Sequence, residues 1–144
     1  MIKESRAYIK QQIQLCNSSY SEIIDMDGNN DIFLSKIDKH FKIIFGDISS
    51  EIEGNNAYLD RVPVQVEVYK ALNINNQVGD YDDLYDLAIC IKDTIVDPVK
   101  VKATSSITDI IPQGITPEAL PTGDKVFKMI LTFEIRKDFQ YQGV

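Results

Sequence analysis

The stretch Phe127-Lys128-Met129-Ile130-Leu131-Thr132-Phe133-Glu134-Ile135-Arg136 decides the fold. Its odd-numbered residues are all apolar, while Lys128, Thr132, Glu134 and Arg136 take the other side. Successive side chains on a strand point to opposite faces, so this segment predicts a strand with one apolar and one polar face. A sheet made of such strands needs a cover on its apolar side only. The same alternation recurs upstream. Phe41, Ile43 and Phe45 oppose His40 and Lys42 over 39–45, and Val62, Val64, Val66 and Val68 oppose Pro63, Gln65, Glu67 and Tyr69 over 62–69. Val99, Val101 and Ala103 alternate with Lys100 and Lys102, which predicts a further strand over 99–103.

Two segments repeat at helical spacing and supply the cover. Ile2, Ile9, Ile13 and Cys16 share a stripe, with Lys3, Glu4, Lys10, Gln11 and Gln14 facing outward, so a helix is predicted over 2–16. Leu84, Leu87, Ala88, Ile91 and Ile95 form the stripe of a second helix over 81–95. Asp80 is its expected N-cap, and Asp82 and Asp83 suit the positive helix end. The element order α-β-β-α-β-β predicts an α+β fold in one domain spanning residues 1–144. Its sheet is expected to be mainly antiparallel, with four strands or slightly more and two helices packed on one face. Leu84, Leu87, Ile91, Ile9 and Ile13 should then bury against Val64, Val66, Phe41, Phe133 and Ile135.

One long segment does not fit this frame. Residues 104–124 carry Ile107, Ile110, Ile111, Ile115 and Leu120 among Pro112, Pro117 and Pro121. Read as a loop, it is long enough to be functional or disordered. Its apolar content predicts an inserted arm that is mobile in the monomer and orders against a partner. Tyr85 and Ile89 lie four apart but off the core stripe, either packing under a neighbouring loop or forming a patch for another copy of the chain. Together Tyr85, Ile89, Ile107, Ile110, Ile111, Ile115 and Leu120 are the candidate assembly interface.

Composition narrows the function classes. The net charge of −7 disfavours binding a DNA backbone, which needs a dense basic surface. No apolar run approaches the roughly 20 residues of a membrane span, and Lys3, Glu4 and Arg6 interrupt what would be a signal peptide. Cys16 and Cys90 could pair, although buried free thiols in a reducing compartment are the expectation.

His40 is the only histidine, so a His-based metal cluster cannot form in one chain, and a Cys–His nucleophile would need Cys16 or Cys90 to reach it across the sheet. Asp25, Asp27 and Asn29 have the spacing of the first calcium-loop ligands. The pattern fails at Asn30, where glycine is needed, and at Lys36, where a bidentate glutamate is needed. There is no phosphate-binding glycine loop. Sheet-type RNA binding needs two exposed aromatics, and only Tyr69 qualifies. No catalytic, cofactor or metal residue is assigned, and a non-enzymatic protein is expected.

Three regions carry a family resemblance. The first is the amphipathic helix 2–16 followed by an irregular acidic stretch. The second is Ile32-Phe33-Leu34-Ser35-Lys36-Ile37-Asp38-Lys39-His40-Phe41-Lys42-Ile43-Ile44-Phe45-Gly46, with its Lys-Ile-Asp-Lys and Phe-Gly elements. The third joins 62–69 to the helix of 80–95 and the closing strand 127–136. In this order the chain resembles the tail terminator proteins of long-tailed bacteriophages, also called tail completion or head–tail joining proteins.

That resemblance implies a structural protein forming a ring, commonly a hexamer, on the end of the tail tube. The ring stops tube polymerisation and joins the tail to the head connector. The implied partners are further copies of the chain, the tail tube protein and a connector or stopper protein. DNA passes through without specific binding, no membrane is involved, and the location is host cytoplasm during assembly, then the virion. The alternatives are another neck component, such as a stopper or tube-like subunit, and a small ferredoxin-like regulatory domain that binds a metabolite.

Overall fold

The alternating segments pair as their apolar faces require. A computed structural model of the chain describes residues 1–23, 38–54, 57–71, 74–104, 107–119 and 126–140. The calcium-like spacing at Asp25, Asp27 and Asn29, the 32–37 part of the family-like region, and Leu120 and Pro121 lie outside the described residues.

The elements in chain order are α1 (Ile2–Cys16), β1 (Ser21–Glu22), β2 (His40–Phe45), β3 (Ser49–Ile52), β4 (Ala57–Ala71), α2 (Gln77–Ile95), α3 (Pro98–Lys102), β5 (Asp109–Ala119) and β6 (Val126–Gln140). Among the described residues the sheet has six strands in the order β1-β2-β4-β6-β5, with β3 beside β4 off that path. Only the β1–β2 pairing is parallel; the others are antiparallel. β4 is the spine. β6 pairs with it from Ala57 to Ala71, while its other edge is shared between β3 at 58–61 and β2 at 64–69. This is the expected α+β fold with a mainly antiparallel sheet.

The core lies where the alternation placed it. Phe41, Val64, Val66, Leu131, Phe133 and Ile135 meet Ile9, Ile13, Leu84, Leu87 and Ile91 in one buried cluster. Helix α2 buries the expected five residues, Leu84, Leu87, Ala88, Ile91 and Ile95. Helix α1 buries more than its isoleucines, since Ser5, Tyr8 and Gln12 also face inward. The Tyr8 hydroxyl donates to the Ile95 carbonyl at 2.7 Å and ties α1 to the end of α2. Burial, with the Asp97 charge second, pushes the Tyr8 phenol up to about 12. Gly46 ends β2 against Pro63, where a Cβ would stand 2.6 Å from the proline ring, so the close crossing requires glycine.

Four expectations are corrected. Residues 99–103 are not a strand, because helix α3 runs through them. The Asp97 side chain accepts from the Val99 N–H at 3.0 Å and Pro98 occupies the first turn, a local start signal stronger than the Val/Lys alternation. The 104–124 stretch is not a loop-like arm over 109–119, because β5 there pairs along β6. Its prolines fit because β5 is an edge strand, where a missing N–H can face away from the ladder, and a bulge falls between Pro112 and Gly114.

The second helix begins at Gln77 rather than 81, its N-cap being Asn76 instead of Asp80, and a 3-10 turn over Ile74–Asn76 leads into it. Finally, Cys16 and Cys90 are joined as a disulfide between α1 and α2, with Cα atoms 6.1 Å apart, instead of being buried free thiols. Cys90 is on the exposed side of α2 and Cys16 is half-buried.

Candidate functional site

For a protein expected to work by assembly, the site is whatever surface the fold leaves open. The sheet edges come first. β5 forms one edge, interrupted by Pro112 and Pro117, and β1 at the other end is only two residues long. Prolines and short strands blunt an edge against further pairing, so neither is suited to adding a strand from another chain.

The sheet face away from α1 and α2 is less wet than its alternation predicted. Tyr69 is 6% and Glu67 7% exposed, so Tyr69 is not the exposed aromatic expected from sequence. Tyr69 packs with Ile23 and Val126 in a second small cluster. Its hydroxyl donates to Glu67 at 3.1 Å, and Lys128 Nζ lies 3.0 Å from the other Glu67 oxygen and 3.6 Å from Glu118. Burial, and next the Glu67 charge, raise the Tyr69 phenol well above its ordinary range. A buried carboxylate with a cation and a hydroxyl in place is a satisfied structural network. Among the described residues no three His, Cys, Asp or Glu side chains converge as metal ligands.

The candidate interface residues scatter. Ile107 and Ile110 are each 4% exposed and belong to the protein's own core, so they offer no surface. Ile115 is half-buried against that core, and Ile111 is half-buried on the opposite sheet face, opposite Glu134. Tyr85 packs edge-on to Tyr81 with ring centres 5.0 Å apart, and Tyr81 packs edge-on to Phe127 at the same separation. Among the described members only Ile89 is exposed, at 43%.

Open apolar surface lies towards the two ends of α2. At its N-terminal end Val78, 75% exposed, stands beside Gln77, Tyr81 and Phe127 around a shallow, largely apolar cavity of about 240 Å³. At its C-terminal end α3 leaves a groove of about 290 Å³ against α1, lined by Tyr8, Gln12, Leu15, Lys100 and Thr104. Leu15 is 63% exposed there, and Val99 on α3, outside the groove lining, is 77% exposed. Reading the sequence missed all three aliphatic residues. Leu15 lies off the α1 stripe with Gln11 and Ser19 four residues to either side, so it lacks the paired spacing that singled out Tyr85 and Ile89. Val78 falls before the helix start expected at 81, and Val99 falls in the strand expected over 99–103.

No family model matches the sequence and no curated protein matches it. Among solved structures, the chain is similar to one described as "Virion of native gene transfer agent (GTA) particle", with a TM-score of 0.52. The match covers 93% of this chain and 94% of that one at 7% identity. At that identity the likeness is one of fold, and it extends over the whole sheet-and-helix layout.

Proposed function

We propose that this chain is a structural protein of a phage-like particle, acting as the tail terminator. It assembles as a ring, hexameric in the simplest case, on the end of the finished tail tube. There it stops tube polymerisation and presents its other side to the head connector. It is non-enzymatic and needs no cofactor; it is made in the host cytoplasm and ends in the virion. The observation that carries the reading is the fold likeness, over nearly the full length of both chains, to a chain of a gene transfer agent virion. The terminator-like order of segments around 32–46 and 127–136 makes the role specific. DNA passes through the ring without adhering, in keeping with a chain of net charge −7 that supplies little counterion release.

Electron microscopy of the purified protein with and without tail tubes tests the reading. Rings at tube ends, together with arrested elongation, are the expected result. Incorporation along the tube would make the chain a tube-like subunit, and binding to connectors alone would make it a stopper. A mobility-shift assay at physiological salt should show no duplex DNA binding; tight, salt-sensitive binding would overturn the picture of a passive conduit.

A further inference from the structure

We propose that successive copies of this chain join head to tail through the opposite ends of α2, the acidic end of one docking on the basic end of the next. The proposal rests on the ring reading and names its contact surfaces. Helix α2 has 19 residues and is therefore about 28 Å long. Its N-terminal end carries Val78, Tyr81 and Phe127 around their cavity, and towards its C-terminal end Leu15 and Lys100 share the groove between α1 and α3. One apolar patch thus lies near each end of a single rigid element.

The charges around the patches are opposite in sign. Asp80, Asp82, Asp83 and Asp86 surround the N-terminal patch. Lys70 lies within 3.5 Å of Asp80 and 3.8 Å of Asp83. Asp82 and Asp86 are exposed and form no salt bridge among the described residues. At the other end Lys100 and Lys102 occupy the last turn of α3, also outside any salt bridge among the described residues. Of the acids nearby, Asp93 pairs with Lys92 at 3.3 Å, while Asp97 caps α3 and keeps its charge, so the two lysines leave this end with a small positive balance.

Like ends repel and unlike ends attract, so the arrangement selects a heterologous contact over a two-fold one. Repetition of such a contact closes a ring when its rotation divides the circle.

Sedimentation of the full chain over a range of protein and salt concentrations decides the matter. The wild type should associate, and more weakly as salt screens the charges. Lys100→Glu with Lys102→Glu should weaken association about tenfold or more, as should Asp82→Lys with Asp86→Lys. All four substitutions in one chain should restore it, because the two ends are then complementary again. Far-UV spectra confirm that each variant is folded. Lys100→Gln with Lys102→Gln, which removes charge without adding any, should weaken association less but in the same direction. A wild type that associates together with single-end variants that associate equally well would overturn this contact and leave the ring reading intact. A wild type that remains monomeric and forms no rings on tubes would overturn the ring reading, and this contact with it.

Discussion

Adjacent isoleucines on β5 should behave very differently when truncated. Ile110 is 4% exposed and sits opposite Ile135 in the core, whereas Ile111 faces the other side of the sheet opposite Glu134. Ile110→Ala removes three carbons, a transfer loss of about 2.4 kcal/mol at roughly 0.8 kcal/mol each. The residual cavity adds to this. Because β5 is held along one edge only, the site can partly collapse, so the total should be about 3 kcal/mol, in the lower half of the range for such truncations. Half-buried Ile111→Ala should cost about 1 kcal/mol.

With a urea slope near 2 kcal/mol/M, the midpoints should fall by roughly 1.5 M and 0.5 M. The chain has no tryptophan, so the transition is followed by far-UV circular dichroism or tyrosine emission. Dilute protein keeps association from adding to stability. If both variants kept the wild-type midpoint, β5 would not be packed in the free chain, and the mobile arm read from the sequence would be restored.

Three further outcomes follow from individual groups. Ser5 is fully buried in α1 with its hydroxyl unpartnered, so Ser5→Ala should stabilise the protein by about 0.5–1.5 kcal/mol; a lower melting temperature would mean the hydroxyl has a partner. Reduction of Cys16–Cys90, which closes a loop of sequence separation 74, should lower stability by about 2–4 kcal/mol, and an unchanged midpoint would mean the bond had not formed. In an alkaline titration read by phenolate absorbance, Tyr8, Tyr20 and Tyr69 should ionise late, because burial raises all three. For Tyr8 the folded value of about 12 exceeds the ordinary 10, so its stabilising contribution is full below about pH 10 and is lost as pH rises towards 12. All seven tyrosines titrating together near pH 10 in the folded protein would contradict this burial.

Local periodicity was enough for the elements whose burial is one-sided. The core-facing residues of β2, β4 and β6 and the five-residue stripe of α2 could be read directly, because packing against the core repeats at a fixed interval. The burial of Glu67 and Tyr69 on the other face of β4 could not. It failed where two signals competed. Val99 and Val101 alternate like a strand, yet the Asp97–Pro98 start makes them helical, with Val99 exposed and Val101 buried. The prolines of β5 look like breakers until its place at the sheet edge is known, and only that place turns Ile107 and Ile110 from a candidate contact surface into core.

Tertiary structure alone could bring Cys16 to Cys90, or set Leu15 beside α3, because these residues are far apart in the chain and share no repeat. The sequence by itself determined the core-facing residues of β2, β4, β6 and α2, since these repeat among neighbours within one or two turns. Which exposed apolar residues gather into a surface depends on how the elements pack, and only the folded chain decides it.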